Sequence, residues 1–153
     1  MVQTTVEARQ QLLDTLAEAT DAIGVALVAL GAAYEQLDEY QAGELEEGLF
    51  RPVQLAYGRA RRTHAEFAGR HGLASRTFEP PSSAGLPSTG AKGFIDNAVV
   101  AVGGADSTLA ELQDSLLPVE VGDPQVRAAL AELRELVGGV AKRAREIVRT
   151  IGR

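Results

Sequence analysis

The stretch LLDTLAEATDAIGVALVALGAAYEQL, residues 12–37, carries apolar side chains at a repeat of seven that decides the fold class. One set of apolar residues recurs every seven positions: Leu16, Ile23, Leu30 and Leu37. A second set lies between them: Leu12, Ala19, Ala26, Ala33 and Tyr40. Steps of four and three that continue over about four heptads are typical of a helix packed in a left-handed bundle. The sequence therefore predicts one long helix here, beginning near Thr4, where Thr4 and Glu7 have the spacing of a capping box.

Three later segments show the same periodicity and are predicted to be helices as well. They span about residues 44–71, 88–117 and 123–151. Asp123 and Pro124 are residue types preferred at an N-cap and at the first helical position. Gly72 follows the last turn of the second helix as a C′ glycine. Pro52 is predicted either to begin the second helix in its first turn or to kink a longer helix.

Four amphipathic helices of similar length predict an all-α fold, an antiparallel up-down-up-down four-helix bundle that forms a single domain over residues 1–153. The link over residues 73–88 is long and rich in Pro and Ser, whereas the other two connections are short. We expect this link to wrap one end of the bundle, with Phe78 and Leu86 held on the surface. The alternative is a ferritin-like crossover, in which the link runs the length of the bundle, as ~3.3 Å per residue would permit.

Composition excludes several classes of protein. The chain has 153 residues, no Cys and a net charge of −6. The lack of Cys excludes a disulfide scaffold, a thiolate metal site and a Cys nucleophile, and the negative charge makes nucleic acid an unexpected partner. The N-terminus lacks the basic and apolar regions of a signal peptide, and the longest apolar run, residues 22–34, is shorter than the ~20 residues that span a bilayer. We expect a cytoplasmic protein without a membrane span.

The two histidines do not have the spacing of a bundle metal site. Di-iron bundles need Glu-x-x-His on two helices, but Arg61 lies three residues before His64, and Ala68 lies three before His71. The two histidines are seven residues apart, roughly 10 Å along a helix, which is too far for one metal ion. We expect His64 to face polar neighbours at the edge of the core and His71 to act as a cation at the helix C-terminus. No catalytic, cofactor-binding or metal-binding residue is predicted.

Basic residues concentrate toward the ends of the second and fourth predicted helices. They are Arg59, Arg61, Arg62, Arg70, Lys142, Arg143, Arg145 and Arg149. In an up-down-up-down bundle the C-terminal ends of these two helices meet, so the sequence predicts one surface for an anion or an acidic protein. Cations also stabilise the last turn of any helix, which is a purely structural explanation for the same residues. If the 73–88 link crosses the bundle, the two groups lie at opposite ends.

Glycine occurs near the middle of all four predicted helices, away from the core-facing repeat, although Gly costs roughly 1 kcal/mol in a helix relative to Ala. With one alanine these positions form a stripe of small residues: Ala17, Gly24, Gly31, Gly58, Gly103, Gly104, Gly138 and Gly139. Residues 22–33 and 98–105 are also apolar all round, which is typical of helices covered on every side. We therefore predict contact with a second copy, as a homodimer or a higher homo-oligomer, and expect Gly24→Leu to weaken assembly while helicity is retained.

These features favour a self-associating helical module for interaction or assembly over an enzyme. A bundle that binds a small ligand or an anion is the second hypothesis, because an Ala-lined core or the basic residues could form such a site. A metal-dependent enzyme is a third and weaker hypothesis, because no residue pattern supports it. The fold alone does not identify the partner or the ligand.

Overall fold

The computed structural model describes residues 5–151, and the regular structure in this range is helical. The α-helices are α1 (Thr5–Glu35), α2 (Glu39–Leu45), α3 (Arg51–His71), α4 (Gly90–Asp114), α5 (Leu117–Val121), α6 (Pro124–Val137) and α7 (Val140–Ile151). A π-helical turn, Glu46–Phe50, joins α2 to α3, and a 3-10 turn, Pro87–Thr89, precedes α4. Because residues 5–151 contain no strand, the predicted all-α class is confirmed. Thr4 of the predicted capping box lies outside the described residues.

The hydrophobic core is built around α1, which packs against α3, α4 and α5. Its most extensive contact is with α4. Both helices bury alanines, among them Ala26 and Ala98, and these small side chains let the two helices approach closely. The predicted core-facing repeat is confirmed along most of α1 and α4. Tyr40 and Leu116 are exceptions: both are exposed, because they lie beyond the ends of α1 and α4.

Pro52 is the second residue of α3, directly after the π-helical turn. A proline in a continuous α-helix lacks the amide hydrogen that would bond to the carbonyl four residues earlier. That carbonyl belongs to Gly48, and it accepts a hydrogen bond from Arg143 Nε at 2.7 Å. Helical structure begins at Glu39, before the predicted start near residue 44. The π-helical turn, which is wider than an α-helical turn, accommodates Pro52 within this longer helix.

Local signals predict several helix ends correctly. Asp123 Oδ1 accepts a hydrogen bond from the Val126 amide at 3.0 Å, so Asp123 is the N-cap of α6, as predicted. Gly72 ends α3 in the left-handed conformation, with a φ of 66°, that favours glycine. The fourth predicted helix is interrupted, however, because α6 ends before Gly138 and α7 begins after Gly139. The expectation of one continuous helix is wrong at this glycine pair, whose low helix propensity favours a break.

The 73–88 link does not wrap one end of the protein, which corrects the expectation from the sequence. Near its start, Arg76 forms an ion pair with Asp21 in the middle of α1. At its end, the Pro87 carbonyl accepts a hydrogen bond from Gln36 Nε2, just beyond the C-terminus of α1. The link therefore follows α1 to its C-terminal end, and α4 begins where α1 ends. A heptad repeat specifies which residues face the core but not which helix is the neighbour, so the repeat could not predict this path.

Among the helices of residues 5–151, α1 is the one that is long and apolar enough to cross a membrane, judged by length and composition alone. It has 31 residues, and an 18-residue window within it has a mean hydropathy of 1.6. The longest uninterrupted apolar run is shorter because charged residues such as Asp21 divide the helix. In the fold, 56% of that window is buried. A helix covered on several sides by its own chain is also apolar, so the packing of α1 against α3, α4 and α5 accounts for its composition.

Candidate functional site

The predicted stripe of small residues divides into positions that this chain covers itself and positions that it leaves open. Gly24 is buried beneath Tyr57, and a Cβ atom at Gly24 would lie 3.0 Å from Tyr57 Cε1. At Gly31 a Cβ atom would lie 3.9 Å from Phe50 Cε2. Ala17 is buried as well. Ala17 and Gly24 are covered within one chain and Gly31 is half-buried against Phe50, so the small size of these positions on α1 does not require a second copy.

Gly138 and Gly139 form the break between α6 and α7, and their neighbours also belong to the same chain. A Cβ atom at Gly138 would lie 2.9 Å from the Arg134 carbonyl oxygen, and one at Gly139 would lie 2.5 Å from Arg143 Nη1. Atoms in a close-packed protein do not approach to these distances without strain. The Arg134 carbonyl belongs to the backbone, so a larger residue at Gly138 would force the break to rearrange. The end of the Arg143 side chain can move away from a larger residue at Gly139.

Gly58, Gly103 and Gly104 are the open positions of the stripe. Within residues 5–151, apart from the adjacent residues and backbone of the same helix, no atom lies within 4 Å of a Cβ atom built at any of the three. Gly103 and Gly104 are exposed on α4 beside Val100, which is 75% exposed. We call Val100, Gly103 and Gly104 the α4 outer face. Of the residues that the sequence assigned to an oligomer contact, the two glycines of this face and Gly58 are therefore available to a second copy.

The basic residues predicted to form one surface are spread along α3, from its middle, where Arg59, Arg61 and Arg62 lie, to both of its ends. Arg70, near the C-terminus of α3, donates a hydrogen bond to Asp123 at the start of α6. Arg143, on α7, donates to Gly48, just before α3 begins. The other basic residues of the two groups are exposed or half-buried: Arg59, Arg61, Arg62, Lys142, Arg145 and Arg149. Because α3 runs antiparallel to α6 and α7, the structure does not bring the two groups together into a single basic surface.

A polar cluster around the buried carboxylate of Asp123 joins the end of α3 to the start of α6. We call its members, Asp123, Arg70 and His71, the Asp123 clasp. The Asp123 side chain is 4% exposed, and its Oδ2 lies 2.9 Å from Arg70 Nε and 2.8 Å from His71 Nε2. Burial by itself would raise the pKa of Asp123. Hydrogen bonds from His71, the Val126 amide and Arg70 outweigh burial and hold the pKa of this carboxyl below its usual value. His71 is thus half-buried in a specific contact, which its position at a helix end did not predict.

His64 on α3 is 3% exposed, which corrects its expected place at the polar edge of the core. Phe78, expected on the surface, is buried against it with the two ring centroids 4.9 Å apart, and Arg76 lies over the Phe78 ring. The Nδ1 atom of His64 is buried without a hydrogen-bond partner. Burial first, and then the charge of Arg76, lower the pKa of His64 against the opposing effect of Asp14 and Asp21. The ring is therefore neutral near pH 7.

Because folding lowers the pKa of His64, we expect the protein to lose stability as the pH falls below about 6.5. The unfolded chain takes up the proton first, so the contribution of His64 is complete above that pH and declines below it. Between about pH 7 and pH 5, the urea midpoint of the unmodified protein should fall further than that of His64→Gln, which is polar but does not titrate. Both proteins retain His71, so an equal decline in the two would contradict the role assigned to His64.

Within residues 5–151, no group of three His, Asp or Glu side chains is arranged to hold a metal ion. Residues 5–151 form an all-α fold that contains the Asp123 clasp, the buried His64 and the exposed α4 outer face. No family model matches this sequence, and no curated protein or solved structure shows significant similarity to it.

Proposed function

We propose that the protein is a helical assembly module that forms a homodimer through the α4 outer face. The observation that carries this proposal is Val100, which is 75% exposed in the middle of α4 beside two glycines with open Cβ positions. Glycine permits another backbone to approach closely. In an isolated chain, each of these glycines costs the helix roughly 1 kcal/mol relative to Ala, and contact with a second copy would offset that cost.

The surroundings of the α4 outer face fit a self-complementary interface. Asp96 and Ser107 are exposed on the same side of α4, about one turn before Val100 and one turn after Gly103. An apolar centre with a polar rim is the usual anatomy of a protein interface. In a two-fold dimer the same surface occurs on both subunits, so Val100 of one copy would pack over the glycines of the other. Val25 on α1, the helix that packs most extensively against α4, is also 43% exposed.

We also infer that the long helical segments form a four-helix bundle with a crossover connection, the ferritin-like alternative named above. The path of the 73–88 link along α1 supports this topology. The neighbours of each helix support it as well, because α1 packs on α3 and α4, and α6 also packs on α3 and α4. One hydrophobic core includes residues from α1 to α7, which supports a single domain. In such a bundle the α4 outer face points away from the other three helical segments.

Concentration-dependent light scattering tests the proposed dimer. The unmodified protein is expected to dimerise, and Gly104→Gln should raise the dissociation constant at least about tenfold, or about 1.4 kcal/mol. The reason is that the new side chain occupies the space that the second backbone needs. Helix content should be unchanged, because the Cβ position of Gly104 is open. Val100→Glu should weaken the dimer similarly by placing a charge in the apolar centre.

A matched control is Gly69→Gln on α3, where the Cβ position is also open but lies on another helix. This variant should dimerise like the unmodified protein. A strict monomer at every concentration would refute the proposal. A dimer that tolerates both Gly104→Gln and Val100→Glu would also refute it, because the interface would then lie elsewhere.

A further inference from the structure

We propose that the groove between α4 and α7 binds a medium-chain fatty acid as its carboxylate. The groove has a volume of about 320 Å³, and its walls come from α4 and from one side of α7. None of the residues that line it belongs to the α4 outer face, so this inference does not depend on the proposed dimer.

The groove has an apolar lining. Ala141, Ala144 and Val148 line it from α7, at steps of three and four residues that place side chains on one side of a helix. Val99 lines it from α4. Ala144 is buried, whereas Val99 and Val148 are half-buried and remain in contact with water at the groove. A hydrocarbon chain that covers these valines is therefore favoured by the hydrophobic effect.

Two arginines of α7 line the same groove and select the charge of its ligand. Arg145 and Arg149 are four residues apart, so they are neighbours on the helix. Within residues 5–151 neither guanidinium forms an ion pair, in contrast to Arg134, which pairs with Asp106. Two like charges at this spacing repel each other, and a carboxylate bound between them would remove that repulsion. The N–H donors of a guanidinium also match the geometry of a carboxylate.

The positive charge of the groove is local. Asp96 of α4 also lines it and pairs with neither arginine, so two guanidinium groups face one carboxylate. Lys142 and Glu146 are exposed on α7 outside the groove and carry opposite charges. The whole chain has a net charge of −6, which repels anions in general. Binding of an anion here therefore has to come from the arginines of the groove.

The dimensions of the groove fit one acyl chain of medium length. Ala141 and Arg149 are eight residues apart, about 12 Å along a helix, which is close to the length of an extended fatty acid of about eight carbon atoms. The alanines lie toward the N-terminal end of this stretch and Arg149 lies at its C-terminal end. A chain bound along α7 would thus place its carboxylate at the arginines and its tail beside the alanines. Drug-sized ligands occupy ~300–1,000 Å³, so the groove is large enough for a single chain of this size.

Calorimetric titration of the full chain with octanoate tests this proposal. At about 0.15 M salt, where distant charges are screened, we expect one site with a dissociation constant below about 1 mM. Acetate has the carboxylate without the chain, and 1-octanol has the chain without the charge. Each should bind at least about tenfold more weakly than octanoate. The methyl NMR signals of Val99 and Val148 should shift on binding, because both side chains line the groove.

The double variant Arg145→Gln/Arg149→Gln should weaken octanoate binding at least about tenfold, because it removes both partners of the carboxylate. Asp96→Asn should tighten binding, because it removes the opposing charge. The matched control is Arg62→Gln/Arg127→Gln, which removes two exposed arginines on α3 and α6. This control should bind octanoate like the unmodified protein, and circular dichroism should show that all the variants are folded.

Absence of binding at millimolar octanoate would overturn the proposal. Acetate or 1-octanol that binds as tightly as octanoate would overturn it too, because the groove would then recognise the charge or the chain alone. Equal weakening by the two double variants, or binding that leaves the valine signals unchanged, would place the ligand elsewhere and is equally contrary to the proposal. Gly104→Gln, which is expected to weaken the dimer, should bind octanoate like the unmodified protein, so the two proposals can fail separately.

Discussion

Asp123→Ala is expected to lower the free energy of unfolding by about 3 kcal/mol. The carboxylate is almost fully buried, and it is the shared hydrogen-bond partner of Arg70 and His71 as well as the N-cap acceptor for the Val126 amide. Removing it leaves a guanidinium and an imidazole without their partner, and it leaves an amide at the start of α6 unpaired. Urea unfolding followed by circular dichroism at neutral pH measures the difference.

Two further variants separate the parts of this effect. Asp38 is also an N-cap, since its side chain accepts a hydrogen bond from the Gln41 amide at 2.8 Å. Unlike Asp123, it is exposed, and α2 contains no basic residue that could pair with it. Asp38→Ala should therefore cost only about 1 kcal/mol. Asp123→Asn keeps an N-cap acceptor but removes the charge. Its loss in free energy of unfolding should therefore lie between the losses caused by Asp38→Ala and Asp123→Ala. If Asp123→Ala costs no more than Asp38→Ala, the clasp does not stabilise the fold.

The clasp should also lose its contribution in acid. The pKa of Asp123 is lowered in the folded state by hydrogen bonds that outweigh burial. Its contribution is therefore complete above about pH 4, where the unfolded carboxyl has already ionised, and is lost as the pH falls through the folded value. The difference in stability between the unmodified protein and Asp123→Asn should narrow over that acidic range.

The features that the sequence predicted well are local. The Asp-Pro pair at residues 123–124 predicts an N-cap, and Gly72 predicts a helix end, because each depends on backbone groups a few residues away. The seven-residue repeat predicts which side of α1 is buried, since burial follows from the periodicity of one helix. In each case the physical cause lies within about two turns of the residues that reveal it.

The features that the sequence did not predict depend on which helices are neighbours. Arg70 and Asp123 are 53 residues apart, and the Asp-Pro signal is satisfied whether or not a guanidinium approaches from α3. The length of the 73–88 link also does not determine which helices are neighbours, because it permits both an end-wrap and a crossover. His64 lies beside the core-facing repeat, and its burial is completed by Phe78, which belongs to that link.

Gly24→Leu is expected to lower the free energy of unfolding by about 3 kcal/mol through overpacking. At the sequence level this substitution was expected to weaken assembly, but a Cβ atom at Gly24 would already lie 3.0 Å from the Tyr57 ring of the same chain. A leucine side chain would have to displace that buried ring and separate α1 from α3. Gly69→Leu, on α3 with an open Cβ position, is the control and should not destabilise the protein. Thermal and urea unfolding measure both.

A second substitution at Tyr57 can show that the loss comes from this one contact. Tyr57→Ala removes the ring and is itself destabilising, because Tyr57 is buried. In the double variant the leucine at position 24 enters the space that the ring has left. The double variant should therefore be more stable than the sum of the two single effects predicts, by at least about 1 kcal/mol. Additive effects would mean that the two residues do not compete for the same space. The stripe of small residues on α1 would then need another explanation, and contact with a second copy would again be the simplest.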